Sequence, residues 1–282
     1  MKRIFTAVIA LCLAGGVLLL HHPVGVWSFI GTLHFIGLWE FYRLVRYHYR
    51  PIAIAGYCGF LLFVLLLYFS THPSPFHPPP AVFLFIPFGI LLLTTPRWLS
   101  DNFSVADWIH DFSWTLNGWL YLSVSMAAMA LIWELGASQP LTVHPLWLWA
   151  IPIWVADSFA YYGGRTFGRH ALAPRLSPKK TREGLFIGFL GALSAVILLS
   201  RFGPHARVLK LTGYDILICS SIAGFLGPIG DLMESALKRW AGVKDSSSIL
   251  PGHGGILDRL DSLIFTGPFF YLYWVLRFHP GS

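Results

Sequence analysis

Four polar side chains recur on one stripe near the end of an apolar run: Asp231, Glu234, Ser235 and Lys238, at i, i+3, i+4 and i+7. That spacing gathers a carboxylate pair, a hydroxyl and an ammonium on one face of a helix. An ionisable residue inside an apolar segment is costly unless it has a partner or lines a cavity. A single acid would read as a contact with a neighbouring helix; four polar groups on one stripe predict a lined cavity. The loop that follows reads Lys244-Asp245-Ser246-Ser247-Ser248 and then Pro251-Gly252-His253-Gly254-Gly255. Glycines on both sides of His253 let the backbone approach a ligand closely and present its N–H groups. Such a turn is weak evidence alone, but it runs straight into Asp258-Arg259-Leu260-Asp261. The two aspartates stand at i and i+3 at the start of the next apolar run. With Asp231 they offer hard oxygen ligands for Mg²⁺, which takes carboxylates together with substrate phosphates.

A second group lies upstream. Asp157 and Tyr161 are followed by Gly163-Gly164-Arg165 and Gly168-Arg169, then by Ser177-Pro178-Lys179-Lys180-Thr181 and Glu183-Gly184. A lysine pair flanked by Ser and Thr just before a helix suits phosphate capture. The bland alternative is that these cations only mark a membrane face, and it is stronger for Arg175 and Arg182 than for Lys179 and Lys180.

The elements that must position these residues are membrane helices. The chain has 282 residues, 55% hydrophobic and 12% charged, with mean hydropathy +0.62. Soluble domains are about a quarter charged, so the bilayer is the expected solvent. The formal charge of +7 sits in short loops between apolar runs, which makes it a topology signal and implies no nucleic-acid partner. Cys12, Cys58 and Cys219 all lie within apolar runs without a CxxC pair, against a disulfide framework or zinc site.

A span needs about 20 mostly apolar residues. Nine are expected, at 4–20, 24–42, 52–70, 81–96, 116–136, 146–163, 184–200, 213–234 and 261–277, the first read as a retained span rather than a cleaved signal. Residues 101–115, with Val105, Trp108, Ile109 and Phe112 at helical spacing, are expected to form a short separate interfacial helix. With the N-terminus inside, only Arg201, Arg207, Lys210 and Arg277 of the 20 Lys and Arg fall outside. That bias supports a cytoplasmic N-terminus. The expected architecture is therefore all-α and polytopic. A scaffold of about five spans over 1–140 precedes a catalytic region of about four spans over 141–282, with its active-site loops in the cytoplasm.

The stretch from Ser235 to Asp261 resembles the signature of the phosphatidate cytidylyltransferases (CDP-diacylglycerol synthases). The matching positions are Ser235, Leu237, Lys238, Arg239, Lys244, Asp245, Ser247, Leu250, Pro251, His253, Gly254, Gly255, Ile256, Asp258, Arg259, Leu260 and Asp261. Residues 157–168 and 177–184 extend the likeness; before residue 140 only Glu40 with Leu44 falls at a family-like position. Arg182 stands where the family has an aromatic or apolar residue, and Phe189 where it has glycine. These departures bear on substrate preference more than on the reaction.

The resemblance implies transfer of a cytidylyl group from CTP to phosphatidate, giving CDP-diacylglycerol and pyrophosphate for phospholipid synthesis in a bacterial cytoplasmic membrane. It implies divalent metal, Mg²⁺ with room for a second cation, at Asp231, Asp258 and Asp261. Lys238, Arg239, Lys244 and Arg259 would offset charge on the departing oxygens, and Glu234 and Ser235 would orient neighbours. Asp157, Lys179, Lys180, Thr181, His253, Gly254 and Gly255 are the remaining expected substrate contacts. Lys179 and Lys180 could hold the lipid phosphate or the triphosphate. The oligomeric state stays open, a homodimer included. Two rival classes fit less well. An ion-coupled carrier predicts midplane polar residues and an inverted repeat, and a CDP-alcohol phosphotransferase predicts an Asp-Gly-x2-Ala-Arg motif; neither is present in the sequence.

Overall fold

A computed structural model describes residues 22–73, 77–99, 103–136, 144–202, 210–250 and 254–278. The expected span at 4–20 and His253 lie outside the described residues. In chain order the helices are α1 (Pro23–Val45), α2 (Ala53–Thr71), α3 (Val82–Thr94), α4 (Val105–Leu135), α5 (Pro145–Phe167), α6 (Arg182–Arg201), α7 (Gly213–Ser221), α8 (Gly227–Trp240) and α9 (Leu257–Phe278). A 3₁₀ turn (Thr95–Leu99) follows α3, and a π-helical turn (Ile222–Leu226) joins α7 to α8. The strands β1 (Ala171–Ala173) and β2 (Ser177–Thr181) pair as an antiparallel hairpin between α5 and α6.

The protein is a polytopic helical membrane protein. Among the described residues, six helical segments are long and apolar enough to cross a bilayer: Pro23–Val45, Ala53–Thr71, Val82–Leu99, Val105–Leu135, Arg182–Arg201 and Gly213–Trp240. The expected spans at 146–163 and 261–277 are also helical throughout, within α5 (23 residues) and α9 (22 residues). One expectation is corrected. Residues 105–115 do not form a separate interfacial helix but are the first turns of the 31-residue α4. Asp111 of this segment is buried: it accepts from the Arg50 N–H at 2.6 Å and pairs with the Arg97 guanidinium.

The chain folds as two compact units: Met1–Ala127 with Ala241–Leu257, and Ala128–Trp240 with Asp258–Ser282. In the first, polar contacts stitch the apolar helices together. Tyr42 donates to the Thr115 carbonyl at 2.7 Å, the Ile52 N–H donates to Thr115 Oγ1 at 2.9 Å, and His34 Nε2 lies 3.0 Å from Ser125 Oγ. Buried polar groups of this kind need partners because no water reaches them in the bilayer.

In the second unit α5 and α6 pack through small residues. A Cβ on Gly184 would lie 2.8 Å from the Ala160 carbonyl oxygen, and one on Gly188 would lie 2.9 Å from that of Ala156. Small residues let two backbones approach closely where apolar burial gives helices no reason to associate in lipid. The Asp215 carboxylate is buried near the start of α7, where it closes a capping box with Thr212 and pairs with Arg277 Nε of α9 at 2.8 Å.

Candidate active site

A cavity of about 900 Å³ in the second unit is lined from six elements, with Leu172 of β1 and Gly184 and Leu185 of α6 beside the polar residues of the other four. Helix α5 supplies Asp157, Tyr161 and Arg165, spaced four residues apart and therefore on one face. The β2 strand supplies Lys179, Lys180 and Thr181; α8 supplies Asp231; α9 supplies Asp258, Arg259, Asp261 and Ser262. Sequence reading grouped these segments by residue type, and the fold brings them to one space.

The hairpin explains how the lysines are held. Ala171 pairs with Thr181 and Ala173 with Ser177, so Lys179 and Lys180 sit on a short fixed arm rather than a free loop. Thr181 ends the strand and caps α6, its Oγ1 accepting from the Gly184 N–H at 3.0 Å. Glu183 in the first turn of α6 ties the arm back, accepting from the N–H groups of Arg169 and His170 at 3.1 and 3.2 Å.

On α8 the predicted stripe forms, but its contacts divide. Asp231 pairs with Lys180 (2.5 Å) and accepts from Ser235 Oγ at 3.3 Å. Lys238 Nζ lies 3.2 Å from Glu234 Oε2 and 2.5 Å from Asp258 Oδ1, with all three side chains largely buried. Lys238 therefore orients Asp258. Arg239 is exposed at the end of α8. Just before α8 the helix widens into its π turn; Pro228 has no N–H to return to Gly224, so the regular ladder cannot run through this point. Such π turns recur at functional sites.

Phe189, at a position where glycine was expected, stacks on Phe225 of the π turn with centroids 4.7 Å apart. The facing residue supplies the space: a Cβ on Gly224 would lie 2.6 Å from Phe189 Cα. The small residue is on the opposite side of the seam.

Charge limits what the cavity can do. Its lining holds four carboxylates (Asp157, Asp231, Asp258, Asp261) and four cations (Arg165, Lys179, Lys180, Arg259). A lining so balanced carries no formal excess of positive charge. Among the described residues, no three of His, Cys, Asp and Glu converge as a ready-made ligand set. Mg²⁺ does not require one, since it commonly binds through one or two carboxylates with waters and substrate phosphates. The donor chemistry of Asp231, Asp258 and Asp261 in the cavity lining therefore fits such an ion.

Lys244, Gly254 and Gly255 belong to the first unit, in the segment Ala241–Leu257. Lys244 is exposed. Gly254 has φ +84° and closes a bridge with Leu250, its carbonyl accepting from the Leu250 N–H at 2.9 Å. Gly255 faces Glu40, which sequence reading noted but did not place in the site. The Glu40 carboxylate, fully buried, accepts from Ser246 Oγ, Ser247 Oγ, Ile256 N–H and Leu257 N–H at 3.0, 2.5, 3.0 and 2.7 Å. The signal was available: Glu40 is an acid within an apolar helix, and such residues are rarely idle.

Comparison with known proteins fits this arrangement. Residues 1–277 match the profile of the cytidylyltransferase family. A phosphatidate cytidylyltransferase of Pseudomonas aeruginosa is 32% identical over 95% of this chain and 94% of its own length. One from Bacillus subtilis is 32% identical over 96% of both chains. One from Haemophilus influenzae is 46% identical over a shorter stretch, 44% of this chain and 43% of that protein. A cavity built from lysines and aspartates on four elements, inside a match that runs nearly the whole chain, places this protein in the cytidylyltransferase family.

Proposed function

We propose that the protein transfers a cytidylyl group from CTP to phosphatidate, releasing CDP-diacylglycerol and pyrophosphate at the cytoplasmic face of a bacterial inner membrane. The observation that carries this is the cavity where Lys179, Lys180, Asp231, Asp258 and Asp261 meet, read with the names of the full-length relatives. Membrane helices suit the substrate pair, since acyl chains can stay in lipid while CTP arrives from water. The positive-inside count supports the cytoplasmic face.

In this reading a phosphatidate oxygen forms a bond to the α-phosphorus of CTP while the bond from that phosphorus to the bridging oxygen of pyrophosphate breaks. Phosphoryl chemistry of this type depends on positioning and charge stabilisation rather than covalent help from the protein. Lys179, Lys180 and Arg259 draw the phosphates into the cavity and offset their repulsion. Asp157 faces them from α5. Lys238 and Glu234 fix the Asp258 carboxylate, and Ser235 fixes Asp231. Asp231, Asp258 and Asp261 would hold Mg²⁺, which when bound neutralises phosphate charge and stabilises the leaving group.

The test uses purified protein in detergent with lipid. Pyrophosphate release from CTP should depend on both phosphatidate and Mg²⁺. Release without phosphatidate, or none with both present, would overturn the assignment. An ion carrier predicts neither dependence.

A further inference from the structure

We infer that Glu40 is a positioning residue that holds together the two ends of the signature loop, Ser246–Ser247 and Ile256–Leu257; its relevance to turnover rests on the transferase reading above. The carboxylate lies on α1 and is fully buried, yet among the described residues four donors to it come from this one remote segment. Each oxygen takes one serine hydroxyl and one backbone N–H: Oε1 accepts from Ser247 Oγ and the Ile256 N–H, Oε2 from Ser246 Oγ and the Leu257 N–H. Ser247 Oγ also accepts from the Ile249 N–H at 3.2 Å, which carries the hold one step further along the loop.

Two features show that the loop is fitted to this carboxylate. A Cβ on Gly255 would lie 2.4 and 2.6 Å from the two Glu40 oxygens and 2.0 Å from Ser246 Oγ. Any larger residue there would have to displace the Glu40 carboxylate or the Ser246 hydroxyl. Leu257 is the first residue of α9, so the carboxylate also satisfies N–H groups that a helix start leaves without intrahelical partners. A negative group is favoured at that end of a helix.

The pairing makes glutamine an informative replacement. Its amide has one accepting oxygen and one NH₂ donor. Because each Glu40 oxygen receives a backbone N–H, the NH₂ must face either Ile256 or Leu257 whichever way it turns. Serine hydroxyls can rotate to accept; a backbone N–H cannot.

The experiment places a single reporter thiol at Ser248, an exposed position in the loop, in full-length protein whose three cysteines are replaced by serine or alanine. Maleimide labelling rate and phosphatidate-dependent turnover are measured in this parent and in its Glu40→Gln and Ser247→Ala versions. Glu40→Gln should speed labelling about tenfold and lower kcat at least tenfold, while KM for CTP changes less than threefold. Ser247→Ala, which removes one of the described donors, should speed labelling about threefold. It decides the matter by the same readout if Glu40→Gln does not accumulate. Labelling within twofold of the parent in whichever variant accumulates overturns the inference. Faster labelling with kcat within twofold also overturns it, leaving Glu40 a structural residue. Labelling needs no substrate, so a parent without transferase activity would overturn the functional reading while the loop contact is still judged.

Discussion

Asp231 and Lys238 share one face of α8 yet take partners from different elements, and their replacements should fail in different ways. Asp231 lines the cavity and pairs with Lys180. Asp231→Asn keeps the side chain's shape but weakens its affinity for cations. Turnover should fall on the order of 10²-fold or more, with the protein still accumulating in the membrane. Activity within threefold of the parent in purified protein would contradict a role at the reacting phosphates. Lys238 instead sits between two buried carboxylates. Lys238→Met removes the ammonium between them, and breaking a buried pair typically destabilises by about 3–5 kcal/mol. Thermal unfolding of the purified variant should drop markedly and recover in part when Glu234→Gln is added. An unchanged melting temperature would show that the pair contributes little. Asp261→Glu tests the metal site itself. Lengthening the side chain by a methylene should raise the Mg²⁺ concentration needed for half-maximal rate, or abolish activity; an unchanged Mg²⁺ titration would move the metal elsewhere. The contact between Glu234 and Lys238 was legible in the sequence because i and i+4 on a helix are neighbours. The links from Lys180 to Asp231 and from Lys238 to Asp258 were not, since they depend on how separate elements pack.

The seam between α5 and α6 borders the cavity, with Asp157 and Tyr161 on one helix and Gly184 and Leu185 on the other. Gly184 and Gly188 were visible in the sequence, but only packing shows that they face the carbonyls of Ala160 and Ala156. A larger side chain must push the helices apart, which usually costs about 1–3 kcal/mol. Gly188→Leu should therefore lower both thermal stability and turnover, whereas the same change at Gly213, which has open space around it, should alter neither by more than a small amount. A Gly188→Leu protein with parental stability would contradict the seam. The helical spans were legible because apolar runs of that length have few alternatives. The β1–β2 arm was not. Its strands are three and five residues long, include Pro178 and lack a clean alternation of apolar and polar residues. The boundary expected near residue 115 is absent: α4 continues from Val105 to Leu135, and a Cβ on Gly118 would lie 2.7 Å from the Phe41 and Tyr42 rings. Gly118 is there for packing, and α4 runs through it.

For the whole molecule, the sequence made a membrane enzyme legible because the apolar runs, the cation asymmetry and the signature segment agree. Orientation can be tested directly. Thiols introduced at Ser177 and Lys210 in a cysteine-free chain should differ in intact cells. The one at 177 should react with an impermeant reagent only after permeabilisation, and the one at 210 should react without it. Labelling of residue 177 from outside would reverse the proposed topology. The central claim is that a cavity lined by Lys179, Lys180, Asp231, Asp258 and Asp261 joins CTP to a lipid phosphate. It is tested most directly by following CTP labelled at its α-phosphorus in purified protein with phosphatidate and Mg²⁺. The account predicts that the label moves into the lipid phase, one equivalent per pyrophosphate released, and that Asp231→Asn abolishes both signals together. Label that stays in the aqueous phase while pyrophosphate is released would contradict it.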